Sequence, residues 1–146
     1  MIERNIIGMA FPPFAITAEA GQLRFFAKAI GETDPVYFDE SAARDAGHPT
    51  LPLPPTFLFS LEVARPPSNW REDAGIELAR VLHGEQSFTY RRMAHAGDTL
   101  HFDSRVTDVY EKKGGALEFV VMETRVTNQR SEHVADIRKV LVHRNG

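Results

Sequence analysis

The chain has 146 residues with 42% hydrophobic residues, 25% charged residues and a net charge of -3. That is the size and make-up of one ordinary globular domain, which buries roughly 68–70% of its unfolded surface without staples, and it excludes disordered, collagen-like and low-complexity classes. There is no cysteine, which removes disulfides, thiolate zinc sites, iron–sulfur clusters and cysteine nucleophiles, and the negative charge argues against nucleic acid as a partner. No apolar run approaches the ~20 residues of a membrane span, and the start, MIERNIIGMAFPPFAI, lacks the basic-then-apolar pattern of a signal peptide. The expectation is a single domain over residues 1–146, soluble and cytoplasmic.

All nine prolines, from Pro12 to Pro67, lie in the first half. Proline cannot donate to a sheet ladder, so the first half reads as helices and loops and the second as a sheet. Thr17 to Ile30 reads as a helix capped by Thr17. Leu23, Phe26, Ala27 and Ile30 form its buried stripe and Gly31 stops it. A short helix follows from Ser41 to Ala46, capped by Ser41 and stopped by Gly47. Phe57 to Ala64 is apolar almost all round and reads as a buried helix, entered at Pro54-Pro55 and stopped by Pro66-Pro67.

Strands follow. Val81 to Arg91 alternates, with Leu82, Phe88 and Tyr90 on one face. In Thr99 to Tyr110, Leu100, Phe102, Val106 and Tyr110 share a face. Gly114-Gly115 reads as a hairpin turn into Ala116 to Thr127, and Asn128 to Ser131 turns into His133 to His143. The pattern implies an antiparallel meander curled around the apolar helix. Its orphan edge strand favours dimerisation edge to edge.

The densest polar stretch is Gly31-Glu32-Thr33-Asp34-Pro35-Val36-Tyr37-Phe38-Asp39-Glu40, with four carboxylates between two helices. Its plainer reading is a turn begun by Asp34 and a cap from Asp39 to Ser41. A second candidate is the start of the apolar helix at Pro55-Thr56-Phe57. A buried helix N-terminus offers free N–H groups and a positive dipole end to a developing oxyanion. The plainer role of Thr56 is a cap. The six histidines form no H-x-H or H-E-x-x-H pair, so no metal is expected. His83 sits beside a strand glycine in Leu82-His83-Gly84-Glu85-Gln86, where glycine marks close approach of a backbone or ligand. Arg91-Arg92 and Lys112-Lys113 are short basic pairs of the kind that usually sit in solvent, although arginine can grip a carrier's phosphates.

Four segments in order carry a family resemblance over nearly the whole chain: Phe25 to Asp39, Leu53-Pro54-Pro55-Thr56-Phe57, Leu82 to Gln86, and Ala96-Gly97-Asp98-Thr99-Leu100. The chain resembles the MaoC-like dehydratases and R-specific enoyl-thioester hydratases. Within these it is most similar to the N-terminal-domain type that supplies the substrate-holding subunit of two-subunit 3-hydroxyacyl dehydratases. The resemblance implies an α+β hot-dog fold, a long-stranded antiparallel sheet wrapped around a central apolar helix, and no cofactor. In catalytic members a G-D-x-N-P-hydrophobic-H motif holds the water that adds across the enoyl double bond, and a glycine N–H at the central helix supports the thioester oxygen. Here the Asp position is Glu32, the Asn position Asp34, the His position Tyr37, and the glycine falls on Pro55. Tyrosine, with an unperturbed pKa near ~10, cannot replace a histidine that cycles protons near neutrality. Proline has no N–H, and losing such a donor typically costs ~100–1,000-fold in rate.

The resemblance therefore implies an acyl-channel subunit that works with a catalytic MaoC-like partner on an acyl thioester of CoA or acyl carrier protein. Its channel would be lined by Phe57, Phe59 and Leu61, with Pro55 and Thr56 at the helix start. Two other readings stay open. One is a self-sufficient homodimeric hydratase, or a hot-dog thioesterase, using Glu32 or Asp34 as base with His83 or His48 as acid. The other is a non-enzymatic acyl-thioester binder.

Overall fold

A computed structural model describes all of residues 1–146. Its centre is a five-stranded sheet of β1 (Phe14–Thr17), β2 (Val81–Tyr90), β3 (Thr99–Lys112), β4 (Leu117–Thr127) and β5 (His133–Arg144). Every neighbouring pair is antiparallel, in the order β1-β3-β4-β5-β2. The β3-β4-β5 meander is the one expected. β2 departs from it, crossing to the far side of β5 and leaving its own outer edge unpaired.

The proline-rich half contributes a strand after all. β1 follows Pro12-Pro13 and pairs Phe14 with Phe102 and Thr17 with Thr99. Four residues are too few to show alternation. Thr17 is therefore not a helix cap: its hydroxyl pairs with that of Thr99 at 3.1 Å, and α1 (Ala20–Ala29) starts after Glu19. The glycine stop is as read. Gly31 has φ +77, and the N–H groups of Gly31 and Glu32 donate to the carbonyls of Lys28 and Ala27, which closes the helix in a left-handed turn. α2 (Glu40–Asp45) is capped two residues before Ser41, by the Asp39 carboxylate accepting the Ala42 N–H at 2.8 Å.

Two bulges explain where the strand faces depart from simple alternation. Leu100, Phe102 and Val106 are buried as expected, but the register slips between Val106 and Asp108. Val109 then takes the core position and Tyr110 stacks on Phe119 with ring centroids 4.7 Å apart. In β2 the slip falls at Gly84, between His83 and Glu85. Leu82 is thereby out of phase with Phe88 and is 49% exposed, while the His83 ring turns to meet Phe59. A Cβ on Gly84 would lie 2.6 Å from Val142 Cγ2 and 3.2 Å from the Val140 carbonyl oxygen. The glycine is where β2 and β5 approach most closely.

α3 (Phe57–Val63) lies on the sheet. Phe57, Leu58 and Leu61 pack with Leu23 and Ala27 of α1 against Leu100, Phe102, Val126 and Ile137. Truncating a buried leucine such as Leu58 typically costs about 2–5 kcal/mol. A second cluster sets Ile2, Ile6 and Phe11 over Val106, Val120 and Met122, beside α4 (Trp70–Asp73), a single turn not foreseen from the sequence. α3 is not buried all round. Phe59 and Ser60 are half-buried and Val63 is 58% exposed, because one sheet covers only one side of the helix. The uncovered side lines the clefts described next.

Candidate functional site

The Gly31–Tyr37 loop is fastened by its own carboxylates. Glu32 Oε1 accepts the N–H groups of Thr33 at 2.8 Å and Asp34 at 3.0 Å. Asp34 Oδ1 accepts the Val36 N–H at 3.1 Å and opens the 3-10 turn Pro35–Tyr37. Arg24 Nε ties the loop to α1 through the Phe38 carbonyl at 2.9 Å. The Tyr37 phenol is pushed above its ordinary pKa by burial first, then by the nearby Glu32 and Asp34 carboxylates. At neutral pH it is a hydroxyl that neither gains nor loses a proton.

The loop faces the start of α3. Tyr90, at the end of β2, donates its hydroxyl to the Pro55 carbonyl. Burial pushes its pKa up to about 12, and Tyr37 adds to the shift by proximity. Tyr90 and Pro55 thus meet where strand and helix converge, with Tyr37 near enough to act on Tyr90 through space. Thr56 stands at the cap position of α3, but its side chain makes no capping bond. Pro55 has no N–H to offer.

From this corner an apolar cleft of about 360 Å³ runs between α3 and β2, lined by Thr56, Phe59, His83, Gln86 and Phe88. The structure brings Thr56, Phe59 and His83 together here. Phe57 and Leu61 line a neighbouring cleft against α1. The His83 ring meets Phe59 edge-on at 5.1 Å. Neither His83 nor His48 is hydrogen-bonded to Glu32 or Asp34. His48 Nδ1 instead pairs with His95 Nε2 at 3.2 Å. Burial lowers the His95 pKa and His48 adds to the lowering, with Asp98 opposing it. Gln86 carries no sequence signal beyond its place in the quoted motif, yet both polar atoms of its carboxamide are buried without a partner. In a cleft, such a pair is a ready contact for a polar ligand group.

The largest departure from the sequence reading is Glu62. It belongs to the apolar helix and is 2% exposed. Its Oε1 accepts the Thr124 hydroxyl at 2.6 Å and its Oε2 pairs with Lys139 Nζ at 3.2 Å. Thr124 continues to Ser104 at 2.6 Å, and Ser104 to Arg65 Nη2 at 2.6 Å. A lone acid near the end of a helix looks solvated in sequence. Only the sheet register sets Thr124 and Lys139 beneath it.

Comparison with known proteins identifies the family. Residues 5–137 match the model described as "FAS1-like, dehydratase domain region". The chain belongs to this dehydratase-domain family. A UPF0336 protein of Streptomyces coelicolor is a relative at 33% identity, covering 98% of this chain and 95% of its own length. Among solved structures, the chain is similar to a chain of the truncated HadBC (3R-hydroxyacyl-ACP dehydratase) complex from Mycobacterium tuberculosis. The TM-score is 0.79 at 27% identity, over 94% of this chain and 96% of that one. A chain of the ChsH1-ChsH2 complex from the same organism shares the fold, with a TM-score of 0.75 at 22% identity, over 94% and 89% of the two chains. This dehydratase-family chain also shares the fold of a MaoC-like dehydratase, with a TM-score of 0.83 at 22% identity over 97% of this chain and 43% of that one, the hot-dog fold that its sequence resemblance implied.

Proposed function

We propose that this chain is the acyl-channel subunit of a 3-hydroxyacyl-thioester dehydratase or enoyl-thioester hydratase, and that it works with a catalytic MaoC-like partner in the cytoplasm. The observation that carries the reading is the corner where Tyr90 meets Pro55 with Tyr37 nearby. A proton-cycling group there needs a pKa near the working pH, and both phenols are held above their ordinary range. A helix-start donor is missing at Pro55. What remains is suited to holding substrate: an apolar cleft with Phe59 and Phe88 on its walls and the Gln86 carboxamide as a polar contact.

Two observations support a partner. The outer edge of β2 is unpaired along ten residues, which invites strand-to-strand pairing. The HadBC and ChsH1-ChsH2 likenesses are to chains of complexes named for two components. The competing hydratase or thioesterase, with Glu32 and a displaced histidine, has less in its favour. The Glu32 carboxylate is engaged with the loop backbone, and His48 and His83 face other aromatic rings. The test is to co-express the chain with a MaoC-like protein carrying an intact G-D-x-N-P-x-H motif. The proposal expects a stable complex that hydrates crotonyl-CoA, with acyl-CoA binding but no turnover by this chain alone. Hydration or release of free CoA by this chain alone would overturn it.

A further inference from the structure

We propose that the cavity between α3, α4 and the sheet is a binding site for an aliphatic carboxylate. The cavity measures about 370 Å³, within the range of small-molecule sites. Three cations line it, Arg65, Arg71 and Lys139, against one carboxylate, Glu62. Both Glu62 oxygens are already engaged, by Thr124 and Lys139, so its charge acts on Arg65 only through space and it hydrogen-bonds neither arginine.

Those arginines are not satisfied by the protein. Arg65 Nη1 and Arg71 Nε are buried and have no hydrogen-bond partner. Neither guanidinium has a carboxylate within the 4.0 Å that defines an ion pair; the only polar side-chain contact of Arg65 is Ser104, and Arg71 has none. Buried guanidinium donors without a partner are costly, and two on one cavity wall point to an anion that completes them. Both are held ready by aromatic faces. The Arg65 guanidinium carbon lies 4.9 Å from the Phe11 ring centroid and 5.0 Å from that of Phe14, and that of Arg71 lies 5.7 Å from Trp70. Arginine's planar fork matches carboxylate and phosphate alike.

The remaining wall sets the rest of the ligand. Phe11, Phe59, Val63, Met122 and Leu141 are apolar. Phe59 and His83 also line the apolar cleft beside α3, so the two spaces share a wall. Phosphate, polar on every side, would leave that surface unmatched. An aliphatic chain ending in a carboxylate matches both parts. The inference concerns this chain alone and does not depend on the dehydratase reading.

Trp70 is the only tryptophan of the chain and lines this cavity, so its fluorescence reports occupancy directly. The full chain is titrated with octanoate, octanol and inorganic phosphate at neutral pH. The proposal expects saturable change with octanoate at a concentration at least about tenfold lower than with octanol, the margin of a charge-assisted contact, and no saturation with phosphate in that range. Arg71→Met should bring octanoate down to the level of octanol. Equal affinities for octanoate and octanol, a phosphate response matching octanoate, or a folded Arg71→Met chain that binds octanoate unchanged would each overturn it. If Arg71→Met does not fold, the octanoate-to-octanol ratio of the unmodified chain decides.

Discussion

Replacing Lys139 by methionine tests whether the sheet holds α3 through a buried charge. Lys139 Nζ lies 3.2 Å from Glu62 Oε2, with 14% of the lysine side chain and 1% of the glutamate side chain exposed. The substitution keeps most of the apolar stem and removes the cation. Glu62 is then left with the Thr124 hydroxyl at 2.6 Å, while Arg65 reaches it only through Ser104 and Thr124. Removing one partner of a buried ion pair costs about 3–5 kcal/mol, because an uncompensated charge stays in the core. At about 2–4 °C per kcal/mol for a chain of this size, Tm should fall by roughly 6–20 °C. Thermal unfolding by circular dichroism measures it. The double variant Glu62→Leu with Lys139→Met removes both charges, and replacing a buried pair by apolar groups is often neutral or stabilising. It should recover most of the loss, giving a coupling energy of several kcal/mol in the double-mutant cycle. A Lys139→Met chain within about 1 kcal/mol of the parent, the range of a surface ion pair, would refute the reasoning and make Lys139 a solvated cation.

Three further outcomes are expected. Gly84→Ala sets a Cβ 2.6 Å from Val142 Cγ2 and should cost about 1–3 kcal/mol by overpacking, read as a lower denaturant midpoint with unchanged slope. His95 titrates below its ordinary pKa of 6.5 in the fold, so the unfolded chain binds the proton first as pH falls. Its contribution to stability is full above that value and declines as pH drops below it. Tm should therefore fall between pH 7 and 5, and His95→Gln should flatten that slope. In the complex with a catalytic partner, Glu32→Gln should change hydration by less than about tenfold, whereas a true general base would cost ~100–10,000-fold.

The strands β2 to β5 were legible because long alternating runs bounded by Gly114-Gly115 and Asn128 to Ser131 leave little choice of register. What alternation hides is a bulge. One extra residue at Gly84 and one after Val106 reversed the faces of Leu82 and Tyr110. β1 was missed because its four residues become a strand only by pairing with β3. At the candidate site, the loop Gly31 to Tyr37 and the α3 start could be read from motif order. Their meeting through Tyr90 and Pro55 is tertiary and leaves no local trace. The same holds for the His48–His95 pair, 47 residues apart, and for Glu62, whose partners come from two strands.

The central claim is that this dehydratase-family chain shapes the acyl site while another subunit supplies the proton chemistry. The most direct measurement is crotonyl-CoA hydration by three samples at equal concentration: this chain, the MaoC-like partner with an intact motif, and their co-purified complex. The account predicts no turnover by this chain, and turnover by the complex that is abolished when the partner's motif histidine is replaced. Turnover by this chain alone, lost in Glu32→Gln or His83→Ala, would contradict it.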